Sequence, residues 1–395
     1  MFVLLLAVFV VALAYGVQLP LLPSLLERQL DGGSAVAWHT GALTGVYTLA
    51  LFLFAPAWGH ASDRWERRGV ILIGLGGFAA SIAILAFIDH LAALYAGRFL
   101  SGAFAAAIVP ASQALLADVS PDEAWRARRF AWVNLAGIAG FLVGPAIGGG
   151  LGTMWRGAMP PSGAPFLAIA ASSAVVGLAA VRVLPPTRRN REGRIRPGER
   201  AGRCRPLNLI LLASFLVAVG LGTFEVNLAL IGAQQLRLSP GQVGSMFIEC
   251  MAVMAATQVL VFNPWVPPRA TRWFLAPAFG VLAAGLWLLQ AATAGAQLYV
   301  AVAAIAGAAG LVSPVIGFWV SLTAGKAQGR ELGWQTSASS SGQTIGSAMA
   351  GFLYGSAWFS NGAFIVAAGA ALAGAAVSLL LAVSLARPVW PAIRR

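Results

Sequence analysis

The chain is predicted to be an all-α polytopic membrane protein, with twelve transmembrane helices in two pseudo-symmetric six-helix bundles. Three observations predict this. Of its 395 residues, 59% are hydrophobic and only 10% charged, and the mean hydropathy is +0.80, a composition that excludes a soluble globular domain. Apolar runs of about 20 residues, the length a helix needs to cross hydrocarbon, recur along the whole sequence. A single long polar stretch, 185–206, carries eight arginines and splits those runs into equal halves.

The runs fall at 2–26, 38–58, 69–88, 91–117, 130–151, 164–184, 207–231, 241–262, 273–292, 298–324, 333–357 and 364–385. The first starts at Phe2 without a positive leader, so it is expected to be a retained helix and not a cleaved signal. The second and third flank the charged stretch 59–68. The fourth contains Arg98, and the fifth ends in glycines around Pro145. The sixth stops at Leu184, before Pro185 and Pro186. Glu225 and Glu249 lie inside the seventh and eighth, the ninth and tenth are almost wholly apolar, the eleventh opens on a polar segment, and the twelfth leads to a basic tail. The expected domains are therefore a bundle at 1–184, a basic linker at 185–206 that is a candidate for anionic-lipid contact, and a bundle with a short tail at 207–395.

The net charge of +13 would suggest nucleic acid in a soluble protein, but here the cations lie in loops. Of the 26 Lys and Arg, Arg28, Arg156 and Arg237 fall in odd-numbered loops and Arg98 within a run. The rest lie in even-numbered loops, at the inner end of the sixth run or in the tail. That bias places both termini in the cytoplasm, the orientation expected in a bacterial inner membrane, and calls for no nucleic-acid partner. Cys204 and Cys250 are too few for a disulfide framework, and His39, His60 and His90 stand apart without ligand spacing, so no metal is expected. No nucleophile, base and orienting group come together in sequence, and no phosphate-cradling motif appears, so an enzyme is not expected.

Gly59, then Asp63-Arg64, then Arg67-Arg68 is a spacing that resembles the signature loop of the major facilitator superfamily, which usually has glycine where this chain has Glu66. The resemblance implies that Gly59 permits close helix contact, that Asp63 faces the N-terminus of the eleventh helix, and that the arginines stay at the cytoplasmic surface. A carboxylate is stabilised at the positive end of a helix dipole, which gives the arrangement independent physical sense. Residues 96–103, around Arg98, resemble the family's second motif, whose intramembrane arginine is tied to proton coupling. The alternative is an arginine held by backbone carbonyls for structure. Gly140, Gly144, Pro145, Gly148 and Gly149 match the glycine-proline motif that accompanies antiporters, though small residues also serve ordinary helix packing. Pro145 removes a backbone hydrogen bond and is expected to bend its helix. Asp118 and Arg126 lie in a segment resembling the next cytoplasmic loop, where Asp118 can pair with the arginines of the signature loop.

Carboxylates inside apolar helices are functional candidates by default. Residue 237, midway between Glu225 and Glu249, falls in the loop joining their helices, so both acids are expected at similar depth. Burial and a like-charged neighbour favour protonation, which a proton-driven exchanger needs. Residues 220–225 also resemble the seventh helix of bacterial quinolone and multidrug exporters, with glutamate at the matching place. The second acid of those exporters aligns near Gly310 and is missing here, so either Glu249 substitutes for it or Glu225 acts alone. Tetracycline exporters are similar in the first half, but their early-helix aspartate has no counterpart at Ala14 or Tyr15. Gln18, Tyr47, Gln113, Asn134, Phe224, Asn227, Gln258, Gln335 and Gln343 are candidates for a substrate cavity, or else for contacts between helices.

A shift of 202 residues places Gly140, Gly144 and Gly149 on Gly342, Gly346 and Gly351, and a shift of about 207 places Gln18 on Glu225. Together these readings describe a monomeric proton-coupled antiporter most like the bacterial twelve-helix drug/proton antiporters. It would export lipophilic or cationic small molecules by rocker-switch alternating access, with protons, substrate and the bilayer as its partners and the proton gradient, without a cofactor, as its energy source. An exporter of one metabolite or siderophore, a proton-coupled importer, and a transporter-like sensor or lipid-handling protein are the rival readings.

Overall fold

A computed structural model describes residues 1–26, 33–87, 90–154, 163–184, 205–230, 240–292, 295–325, 327–354 and 362–386. Among these residues there are thirteen α-helices and no strand. They are α1 (Phe2–Leu26), α2 (Gly33–Arg64), α3 (Arg67–Leu85), α4 (Leu91–Ala105), α5 (Ile108–Asp118), α6 (Glu123–Met154), α7 (Gly163–Val183), α8 (Arg205–Leu230), α9 (Pro240–Val261), α10 (Leu275–Ala291), α11 (Gly295–Thr323), α12 (Gln328–Tyr354) and α13 (Gly362–Ala386). By length and composition seven segments suit a membrane crossing, and three shorter helices are apolar.

Thirteen helices make twelve crossings because α4 and α5 together form one apolar segment, Leu91–Asp118. Pro110 has no N–H to offer the carbonyl four residues back, at Ala106. The helix tightens there instead, with Ala107 N–H donating to Phe104 O at 3.1 Å.

The charged stretch 59–68, expected as a connecting loop, is mostly helix. The second helix continues to Arg64 and the third begins at Arg67, leaving only Trp65 and Glu66 between them. Likewise α6 starts at Glu123 and α12 at Gln328, several residues before their apolar runs. Hydropathy marks where hydrocarbon begins, whereas Glu, Gln and Arg are good helix formers that extend a helix into the interface. The α6 helix runs as one element through Pro145. Gly325, at φ 55°, supplies the left-handed residue where the chain leaves α11 for α12.

The chain forms two compact units, Met1–Arg194 with Gly325–Thr344, and Ile195–Ala324 with Ile345–Arg395. In the first, α1 packs on α6 and α7, α2 on α4, and α3 on α4 and α7. In the second, α8 packs on α13, α9 on α11, and α10 on α11 and α13. The pairing of α1 with α6 has its partner in α8 and α12, where Thr223 Oγ1 donates to Gly346 O at 3.3 Å. Each packing pair in the first unit thus has a counterpart six crossings later.

Candidate functional site

The signature residues converge on the first turn of α12. Asp63, only 5% exposed, accepts the Gly329 amide at 2.8 Å and the Arg330 amide at 2.7 Å. These are orphan donors of a helix N-terminus, the end where a carboxylate is favoured. Arg67 Nη1 donates to Asp63 Oδ1 at 2.7 Å and Ser62 Oγ at 2.8 Å, while its Nε donates to Asp118 Oδ2 at 2.9 Å. A single guanidinium therefore ties the end of α2 to the end of α5. A Cβ on Gly59 would collide with the Gly329 carbonyl and lie 3.2 Å from Gly333 Cα, and a Cβ on Gly329 would strike Ser62. The glycines at 59, 329 and 333 let the two backbones touch.

Glu66 occupies the N-cap position of α3 at φ −79° and ψ 129°, an ordinary extended conformation. Glutamate therefore fits where relatives of this motif have glycine. Arg64 is exposed, Arg68 Nη2 donates to Val181 O at 2.5 Å, and Arg126 Nη2 donates to Ser120 Oγ at 2.8 Å and Ala117 O at 3.3 Å. Along the same face, Thr344 Oγ1 donates to Thr48 Oγ1 at 2.8 Å and Ser337 Oγ to Phe52 O at 2.8 Å.

A second cluster surrounds Arg98, which is 1% exposed. Its Nη1 donates to Gln18 Oε1, and its Cζ lies 5.5 Å from the centroid of the Tyr47 ring. The contacts of Arg98 among the described residues are thus with the Gln18 and Tyr47 side chains. Tyr15 lies between Tyr47 and Phe141, with ring centroids 5.3 Å and 5.8 Å away. Gly144 and Gly140 of the glycine-proline motif pack on α1 beside this cluster. A Cβ on Gly144 would come 2.6 Å from Gly16 Cα, and one on Gly140 would meet the Phe9 carbonyl. Pro145, Gly148 and Gly149 lie in α6, and their side-chain surroundings are outside the described residues.

In the second unit, Glu225 on α8 and Glu249 on α9 are both half-buried. The two helices meet here through the rings of Phe224 and Phe247, whose centroids are 6.5 Å apart. Glu249 Oε2 is buried without a hydrogen-bond partner. Asn227 Nδ2 bonds the Thr223 carbonyl at 2.9 Å.

The other cavity candidates lie on α5, α6, α9 and α12. Asn134 Nδ2 donates back to Phe130 O at 3.0 Å, Gln335 and Gln343 are half-buried on α12, and Gln113 and Gln258 are buried with amide atoms that lack partners. Sequence reasoning missed Tyr15, Ser62, Gly16 and the pair Gly329 and Gly333. The last pair carries a legible signal, small residues four apart on a helix. Tyr15 carries none, because its role depends on which helices meet. No cluster of His, Cys, Asp and Glu suited to a metal occurs among the described residues.

Comparison with known proteins places these features in a wider group. The sequence model of the family described as Major Facilitator Superfamily matches residues 4–261. The chain is 27% identical over 362 residues to multidrug resistance protein 1 of Bacillus subtilis (strain 168), a match covering 89% of each chain. It is 36% identical over 209 residues to the class G tetracycline resistance protein of Vibrio anguillarum, covering 53% of this chain and 50% of the relative, so it spans half the length of that protein. Among solved structures, the human organic anion transporter MFSD10 (TETRAN) superposes with a TM-score of 0.78 at 21% identity, over 97% of this chain and 98% of the other. That likeness is one of fold.

Proposed function

Because the chain belongs to the Major Facilitator Superfamily, we propose that this multi-pass membrane transporter is a proton-coupled antiporter exporting lipophilic or cationic small molecules. The observation that carries the reading is the pair of acids, Glu225 and Glu249, inside neighbouring apolar helices. A carboxylate inside an apolar helix is costly without a partner charge, and once ionised it holds an organic cation. Protonation from the acidic outer side and substrate entry from the cytoplasm then compete for one charge. The match with a multidrug resistance protein along 89% of both chains supports the substrate class.

In the proposed cycle the bundles 1–184 and 207–395, joined by the basic linker 185–206, work by rocker-switch alternating access while both termini stay cytoplasmic. Asp63 and Arg67 hold the first turn of α12 in one state and release it in the other. Gly140 and Gly144 keep α1 and α6 in close contact. The protein works as a monomer in a bacterial inner membrane, without a cofactor, and Arg98 belongs to the coupling machinery.

The test is ethidium flux in everted vesicles under an imposed proton gradient, native against Glu225→Gln. Native vesicles are expected to accumulate dye with loss of the gradient, and the variant to lose at least nine-tenths of that rate. Full activity in Glu225→Gln would move coupling to Glu249. A folded native protein that moves no dye would replace this reading with export of a single metabolite or with proton-coupled uptake.

A further inference from the structure

The Arg98 side chain has an unused edge. Its Nη1 is taken by Gln18 and one face by the Tyr47 ring, while Nε and Nη2 are both buried without a hydrogen-bond partner. Those two nitrogens lie on the same side of the planar guanidinium, where their N–H groups form a fork that matches the two oxygens of a carboxylate. An arginine cannot shed its proton, and a buried charge without a counter-charge is costly. Among the described residues no carboxylate pairs with Arg98; the ion pairs of Asp63, Asp118 and Glu331 go to Arg67 and Arg330.

The Tyr47 ring that covers one face of the guanidinium belongs to an aromatic group. Tyr15 stacks on Phe141 and leans on Tyr47, and both Tyr15 and Phe141 are half-buried. We propose that the free edge of Arg98 binds the carboxylate of an aromatic carboxylic acid, whose ring lies against Tyr15, Tyr47 and Phe141. Gln18 is the positioning residue: by holding Nη1 it fixes the plane of the guanidinium and aims the fork. The inference rests on the transporter reading above and adds a substrate class to it, amphiphiles that carry an aromatic carboxylate, with or without an amine. A halide lacks the two coplanar oxygens, and an ester lacks the charge.

Titration calorimetry of the full chain in detergent tests this, with 1-naphthylacetate, its methyl ester and chloride as probes. Native protein is expected to bind the acid at least tenfold more tightly than the ester. Arg98→Lys keeps the charge and loses the fork, and should weaken the acid by roughly ten- to hundredfold with little change for the ester. Should that variant not fold, Gln18→Ala and Tyr47→Leu stand in, each expected to weaken the acid several-fold. Equal binding of acid and ester overturns the proposal, as does competition by chloride at the same concentration as the acid, or unchanged affinity in the variants. Ethidium export failing while naphthylacetate binds would sink the export reading and leave this site standing. Export without naphthylacetate binding would do the reverse.

Discussion

Asp63 does two jobs with one carboxylate: it caps α12 through the Gly329 and Arg330 amides and neutralises Arg67. Both depend on its charge, and at 5% exposure little water competes for it. Asp63→Asn keeps the shape and removes the charge, and is expected to weaken the α12 cap by about 2 kcal/mol, since Arg67 retains Asp118. Measured by amide hydrogen exchange, residues 329–331 should open roughly thirtyfold more often, while the interior of α10 is unaffected. The capping role was legible in the sequence as what the resemblance of the Gly59, Asp63 and Arg67 pattern to the superfamily's signature loop implies. The fit of Glu66 was not, because a residue pattern does not reveal the sign of φ; that residue turns out extended, at φ −79°.

At the scale of elements, the contact of α2 with the first half of α12 is made by the absence of side chains. Gly59 faces Gly329 and Gly333, with no room for a methyl group between backbones. Gly59→Ala must push the helices apart, at a cost of about 1–3 kcal/mol, and is expected to slow transport at least tenfold. Gly41→Ala, in the same helix with nothing within 4 Å, should leave transport unchanged and raise stability by about 0.5–1 kcal/mol. Thermal melting and dye flux on the two variants check both halves of this contrast. Helix number and order were legible from apolar length. Helix ends were not, since α2, α6 and α12 continue as charged helix beyond their apolar runs.

Across the whole molecule, the internal repeat is clearer in packing than in sequence. Gly144 meets α1 at Gly16, and Gly346, which is 202 residues later, meets α8 at the Val219 carbonyl. The same close approach of backbones occurs in both halves. The charged residues within the helices differ between them. The first unit keeps the buried cation Arg98, and the second holds the acids Glu225 and Glu249. The acids and the arginine stood out in the sequence because charge within an apolar run is costly. The aromatic wall of Tyr15, Tyr47 and Phe141 did not, because it is assembled from three separate helices, α1, α2 and α6.

The central claim is that substrate and proton compete for a carboxyl group carried by α8 or α9. Proton release on mixing purified protein with ethidium in weakly buffered solution, followed with a pH dye, tests it most directly. The account predicts about one proton released per ethidium bound by native protein, and none by the double variant Glu225→Gln, Glu249→Gln, even at dye concentrations that saturate it. Undiminished release from that double variant would contradict the account and place the exchanged proton elsewhere in the molecule.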